Sequence, residues 1–305
     1  MAYFLCPHRR VPPGADERKE MTDRILRRKR LMLLQTIALA GVMLVLASRA
    51  VAVVFGAAAG WLAVGVIAVL AVRAATSQQL ALPAGTERLD PYQAPQLYDT
   101  LQDLIHRAGL ARVPPIFILP SRGGEAMTTG VGDRSLILLS QGILSSLSLR
   151  ELRAVLAHEV SHIRNRDLPL FAVMGAMHQI THAVSGMLMV LLFLTFPAIL
   201  FGGAMVPPVV LLYLGIVPII SLISQLALLR TREFQADLGS VELAQDPWAL
   251  ASALARLEGM HRRGLRMFGP GGTRRSRLAE LLRTHPSTED RIRRLQEVAE
   301  QSGRR

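Results

Sequence analysis

The sequence predicts a mainly α-helical membrane protein, with four transmembrane helices in two hairpins and a cytoplasmic domain of helices plus a small β-sheet. Three observations carry that reading. Two long blocks lack formal charge, cations gather at their ends, and the stretch between them shows helix-like and then strand-like apolar spacing. Composition agrees: half of the 305 residues are hydrophobic, only 19% are charged, and mean hydropathy is +0.32, too apolar for an average soluble chain. The single cysteine, Cys6, excludes an internal disulfide framework and any multi-cysteine metal site.

A basic lead, 1–30, comes first, with nine Lys/Arg against four Asp/Glu, and reads as a disordered tail on the membrane surface. The first apolar block follows. Residues 31–48 and 50–72 are free of charge, so 31–75 reads as a hairpin of two spans turning near Arg49, each close to the roughly 20 residues a crossing needs. Trp61 falls in mid-block and reads as a packing residue. The second block, 168–229, contains no Asp, Glu, Lys or Arg. Gly202-Gly203 and Pro207-Pro208 break it naturally, which places spans near 183–203 and 208–229.

Orientation follows from the cations. Arg24, Arg27, Arg28, Lys29 and Arg30 precede the first span, Arg73 follows the second, Arg164 and Arg166 precede the third, and Arg230 and Arg232 follow the fourth. Both termini and the middle segment are therefore expected in the cytoplasm. The net charge of +12 comes from basic flanks around apolar blocks; it is no nucleic-acid stripe, having neither aromatic interleaving nor a recognised binding fold. Anionic lipid headgroups are the partner that those flanks suit.

Residues 76–167 balance nine cations against nine acids. Leu97, Leu101, Leu104 and Ile105 give a helix within 91–110. Residues 116–119, 126–129 and 136–139 have strand length and character. Ser148-Leu149-Arg150-Glu151 is a capping box, announcing a helix through Leu152, Val155, Leu156 and Ile163.

That helix carries His158-Glu159-Val160-Ser161-His162. Spacing of i, i+4 sets both imidazoles on one face, where two nitrogens can reach one tetrahedral zinc, one ion per chain. Glu159 falls to the adjoining side. Zinc lowers the pKa of bound water to about 7, and Glu159 can take its proton. A third ligand is needed. The long HExxHxxGxxH pattern is excluded, because Asn165 and Leu168 stand where glycine and histidine would be. Directly after the second apolar block, Arg232-Glu233-Phe234-Gln235-Ala236-Asp237 supplies Glu233 as a ligand and Asp237, one turn on, as acceptor of a hydrogen bond from a ligand histidine. A membrane hairpin between the two motifs would return both of its ends to one place. Asp167 is expected to cap a helix or pair with Arg232. His178 and His182 repeat the i, i+4 spacing without a carboxylate motif to answer them, and read as interfacial rings.

His158-Glu159-x-x-His162 with Asn165-Arg166-Asp167, Arg232-Glu233-Phe234-x-Ala236-Asp237, and Thr284-His285-Pro286-Ser287-Thr288-Glu289-Asp290-Arg291-Ile292 together resemble the HtpX-type membrane zinc peptidases, a branch of the gluzincins. The likeness runs from about residue 31 to 297. It implies a gluzincin-like zinc protease domain split as 76–167 and 230–305 around the second hairpin. It also implies a multi-pass protein of the bacterial cytoplasmic (inner) membrane that cleaves misfolded or damaged membrane proteins. On the same ground His285 could steady an oxyanion or cap the zinc at rest, and Arg291 could share the oxyanion role. Where relatives usually carry Asn-Ala-Phe-Ala-Thr-Gly, this chain has Glu125-Ala126-Met127-Thr128-Thr129-Gly130. Ala126, Met127, Thr128 and Thr129 then form the edge strand on which a peptide could lie. The competing readings are a catalytically latent scaffold of the same fold, a processing protease of narrow specificity, and a transporter. Transport normally leaves ionisable residues within the spans, and few stand there.

Overall fold

The computed structural model describes residues 15–76, 82–202, 208–266 and 286–303. Helix α1 runs from Ala15 to Phe55 and α2 from Ala57 to Thr76. Residues 15–30 are helical rather than a disordered tail, since no proline interrupts 15–55 and the span simply extends towards the N-terminus. The turn falls at Gly56, whose φ of +86° suits glycine, and not at Arg49, which continues α1 because arginine is a good helix former. Trp61 is 77% exposed on α2, so it faces outward rather than packing.

The soluble elements follow. Strand β1 is Glu87–Arg88, α3 Pro95–Ala108, β2 Ile116–Leu119, β3 Ala126–Thr129, β4 Leu136–Ser140, α4 Gln141–Ser146 and α5 Leu149–Asn165. Proline at the start of α3 and left-handed Gly109 at its end bound that helix. The mixed sheet has the order β1-β2-β4-β3. Parallel β2 and β4 form its centre, pairing Ile116 with Ile137; β3 lies antiparallel along β4, pairing Thr128 with Ile137, and is an edge strand. The core closes between sheet, α3 and α5 on Leu101, Leu104, Ile116, Ile137, Leu139 and Leu156, all without exposed surface.

Helix α6, Asp167–Gly202, starts directly after α5, so the third apolar helix begins sixteen residues before the expected 183. The fourth expected span is divided between α7, Pro208–Gly215, and α8, Val217–Ala244, with Pro218 in the first turn of α8. Helices α9, Pro247–Arg266, and α10, Thr288–Gly303, complete the described chain. Among the described residues two stretches are long and apolar enough to cross a bilayer, Leu26–Arg49 in α1 and Asp167–Pro197 in α6, against the four expected; the apolar stretch of α2, Gly60–Val69, is shorter.

Three contacts fix the soluble helices around α5. In its capping box the Ser148 hydroxyl accepts from the Glu151 N–H at 3.3 Å, and the Glu151 carboxylate accepts from the Ser148 N–H at 2.9 Å. The same carboxylate holds Ser252 and Arg256 of α9 at 2.6 and 2.8 Å. Burial opposes its charge, but these bonds outweigh burial and hold Glu151 below the usual carboxylate range. On the other side α5 meets α8 without room for a side chain: a Cβ on Gly239 would lie 2.4 Å from Ser161 Oγ. Beside it Ser240 Oγ donates to the Ala154 carbonyl at 2.7 Å. The third contact reaches the first helix, where Glu242 of α8 accepts from Arg164 at 3.1 Å and pairs with Lys29 of α1.

Replacing Ser148 by Ala is expected to destabilise the protein by about 1 kcal/mol through loss of the cap. A lower thermal midpoint in detergent checks this, and an unchanged midpoint removes the cap from the account.

Candidate metal centre

The two motifs reach one point because α5 and α8 lie in direct contact. His158 and His162, one turn apart on α5, bring their Nε2 atoms within 3.2 Å of each other, with the rings edge to face. From α8, Glu233 sets Oε2 at 3.7 Å from His158 Nε2 and Oε1 at 3.8 Å from His162 Nε2. All three residues are buried, and one ligand atom from each lies within 4.8 Å of the others, the one such cluster among the described residues.

Each imidazole is held from behind. Asp237, one turn after Glu233, places Oδ1 3.0 Å from His158 Nδ1. Asp167 places Oδ2 2.7 Å from His162 Nδ1. A carboxylate on Nδ1 keeps the proton there, which turns the Nε2 lone pairs towards one another and towards Glu233. Three acceptors so converged, two nitrogens and a carboxylate, repel one another unless a cation lies among them. Charge points the same way. Glu159, Glu233, Asp237 and Asp167, all buried, face the guanidiniums of Arg291 and Arg232, leaving two negative charges for a divalent cation. The donor set suits zinc, with its preference for nitrogen and oxygen ligands and tetrahedral geometry.

Asp167 has a second role that its spacing did not reveal. Arg166 takes the left-handed conformation at φ 53° and ends α5, so the first residue of α6 turns back beneath His162. Asp167 also pairs with Arg232, as expected, and Arg232 itself donates to Gln235 at 2.6 Å and to the Asn165 carbonyl at 3.2 Å. Burial lowers the proton affinity of His162, but the Asp167 bond and the charges of Glu159 and Glu233 outweigh it and raise its pKa.

Arg291, on α10, stands behind the ligands. Its guanidinium grips Asp237 through both carboxylate oxygens, at 2.6 and 2.9 Å, and reaches Glu233 at 3.3 Å. Burial opposes ionisation of Asp237, yet Arg291 and His158 keep its carboxyl below the usual range, and the same pairing raises Arg291. The arginine thus braces the carboxylates of the metal site. Its sequence neighbour Asp290 pairs with Arg293 instead, at 2.5 Å. His285 lies outside the described residues.

Along the edge strand, Met127 is 48% exposed and Thr128 turns to the site. The Thr128 hydroxyl donates to Glu159 Oε2 at 2.7 Å. Sequence spacing gave no sign of this bond, since a strand and a helix thirty residues apart must first pack; the signal available was a hydroxyl on an edge strand that borders the active-site helix. His178 and His182 stack edge to face at 4.4 Å on α6, and His178 Nδ1 lies 3.3 Å from Ser221 Oγ.

Comparison with known proteins decides the family. The model of peptidase family M48 matches residues 91–299. The chain belongs to that family. Among curated relatives of this M48 chain, a protein called Protease HtpX homolog from Acaryochloris marina is 37% identical over 245 residues, covering 75% of this chain and 81% of its own. Another of that name from Thermococcus kodakarensis is 35% identical over 234 residues, covering 70% and 77%. This M48 chain is therefore an HtpX-type membrane metalloprotease. Among solved structures, that of S. mikatae Ste24p matches 89% of this chain and 66% of its own, under two thirds, with 19% identity and a TM-score of 0.46.

Two outcomes are expected. Asp237→Asn and Asp167→Asn should each weaken metal affinity roughly 10–100-fold, the usual effect of losing a carboxylate behind a ligand histidine; titration against a chelator measures it, and wild-type affinity in both variants rejects the role. Thr128→Val should lower kcat on the order of tenfold with KM little changed, the loss of one hydrogen bond to a charged group. Steady-state kinetics of Thr128→Val and Thr128→Ser decide it, since only the serine should restore the rate.

Proposed function

We propose that the chain is a zinc-dependent endopeptidase of the bacterial cytoplasmic membrane that hydrolyses peptide bonds of misfolded or damaged membrane proteins. The observation that carries this reading is the convergence of two imidazoles and a carboxylate beside the buried Glu159. His158, His162 and Glu233 would hold one zinc ion. When bound, zinc supplies Lewis acidity that polarises the scissile carbonyl and makes water a nucleophile at neutral pH.

The chain's own groups do the rest. Glu159 accepts the proton of the attacking water and passes it to the leaving amine. Thr128 holds Oε2 of that carboxylate at 2.7 Å and so leaves Oε1 to receive the proton. Asp237 and Asp167 fix the tautomers of the two histidines, and Arg291 keeps Asp237 charged. Among the described residues no strand pairs with the outer side of edge strand β3 along Ala126, Met127, Thr128 and Thr129, where an extended peptide could add as a further strand, held by main-chain hydrogen bonds whatever its sequence. Such binding suits a broad substrate range. Gly130 closes the strand in a left-handed turn at φ +88°, where a Cβ would strike the Arg134 carbonyl at 2.4 Å.

The anchorage we favour retains four spans, with both termini and the catalytic part cytoplasmic. It rests on the gathering of Arg24, Arg27, Arg28, Lys29, Arg30, Arg73, Arg164, Arg166, Arg230 and Arg232 in the sequence before and after the two apolar blocks, with Arg49 the one cation inside them.

Glu159→Gln tests the reaction. Purified protein in detergent, with zinc restored after chelation, should cleave unfolded casein and its own chain. The variant should lose that activity by a factor of about 10²–10⁴ while binding zinc one per chain. Normal turnover by Glu159→Gln would falsify the mechanism.

A further inference from the structure

A cavity of about 420 Å³ opens between α1, α8 and α10, with Asp237 on its wall. Its wall is divided by chemistry. Arg28, Arg293 and Arg294 supply cations, while Leu31, Met32 and Phe234 are apolar. Arg293 is taken up by Asp290 at 2.5 Å, and Arg28 makes no ion pair among the described residues. The Arg294 guanidinium carbon lies over the Phe234 ring, 3.7 Å from its centre. A guanidinium held over an aromatic ring still has N–H donors to spare, and such donors suit a phosphate. Of the acids on the wall, Asp237 is gripped by Arg291, and Glu297 is exposed.

We propose that this cavity binds the phosphate headgroup of an anionic phospholipid, with Arg28 and Arg294 on the phosphate and the acyl chains along the outer face of α1. The place of the cavity selects a lipid over a free anion. Arg28 stands two residues into the apolar stretch Leu26–Arg49, at the level where lipid headgroups meet water. Leu31, on the cavity wall, is 67% exposed, and Leu34, one turn further into the stretch, is 63% exposed. A soluble phosphate would leave these leucines bare, whereas a phospholipid covers them while its phosphate meets the arginines. The bound headgroup would tie α10 to α1, and α10 carries Arg291, which holds Asp237. Lipid would thereby steady the carboxylate behind His158 without touching a metal ligand.

Native mass spectrometry of the full chain, titrated with phosphatidylglycerol or phosphatidylcholine, tests this without any assay of proteolysis. One phosphatidylglycerol per chain should be retained, about tenfold more tightly than phosphatidylcholine. Arg28→Gln/Arg294→Gln should lose that preference, Arg28→Lys/Arg294→Lys should keep most of it, and Arg27→Gln/Arg30→Gln, which leaves the cavity wall intact, should change it less than twofold. Arg28→Gln alone, at a residue with no ion pair among the described residues, gives a second reading should the double variant fold poorly, and should weaken retention several-fold. Equal retention of the two lipids by the wild type, or undiminished preference in Arg28→Gln, overturns the site. An equal loss in Arg27→Gln/Arg30→Gln assigns the effect to diffuse charge on α1 and overturns it as well. Displacement of the lipid by glycerol 3-phosphate at matched concentration shows a free-anion site and overturns the lipid assignment.

Discussion

The close approach of α5 and α8 is the constraint on which the rest of the site depends. Gly239 against Ser161 sets how near the two backbones can come, for a Cβ there would stand 2.4 Å from the serine oxygen. At that spacing Ser240 reaches the Ala154 carbonyl, and Arg164 reaches Glu242. Two turns earlier on α8, Glu233 arrives opposite both histidines. A wider separation would keep every residue of both motifs and lose the convergence, because Glu233 already sits 3.7–3.8 Å from the two nitrogens with little reach to spare. Small residues at this crossing are thus as necessary to the centre as its acceptors.

Holding so many charges in a buried place is costly, and the structure shows how the cost is contained. An isolated carboxylate out of water loses several kcal/mol of solvation, recovered only with partners in good geometry. Each carboxylate here has such a partner: Asp237 is chelated by Arg291, Asp167 lies between His162 and Arg232, Glu233 meets Arg291, and Glu159 accepts from Thr128. The two guanidiniums come from different elements, α8 and α10, so the centre joins parts of the chain far apart in sequence. The excess negative charge that remains is turned towards the three converging acceptors, which is where a divalent ion lowers the energy most.

Much of this was legible in the sequence, for identifiable reasons. Strands at 116–119 and 126–129 and the capped helix after Ser148 depend on local patterning, and local patterning is what a sequence displays. The HExxH pair was legible because i, i+4 spacing has one consequence on any helix. Helix ends in the apolar blocks were less so. Arg49 interrupts hydropathy but not helicity, and the turn waits for the backbone freedom of Gly56. The start of α6 at Asp167 was concealed by a left-handed arginine, a conformation that no propensity announces. Arg291 on Asp237 and Thr128 on Glu159 both join residues that meet only after distant elements have packed, so neither spacing nor composition could give the contact.

The continuity of α8 constrains where the chemistry can act. The helix runs unbroken from Val217 in the apolar block to Ala244 beyond Asp237. On the proposed span, Glu233 follows the last apolar residue, Leu229, by four positions, about 6 Å of helical rise. On α5 the chain leaves His162 and enters α6 within five residues, and the Phe171 ring of α6 lies 6.3 Å from that of His162. With these apolar helices spanning the bilayer as proposed, the centre is fastened to their ends and cannot move away from the bilayer surface without unwinding one of them. On the proposed docking along β3, a peptide must come to that level. Segments of a membrane protein just outside its own spans meet the requirement when misassembly leaves them extended, whereas the same segments paired or helical in a folded protein present no free strand to the edge. Under the proposed function, selection by conformation rather than by side-chain sequence would follow from a fixed site and a main-chain docking edge, the kind of selectivity that removal of damaged membrane proteins requires.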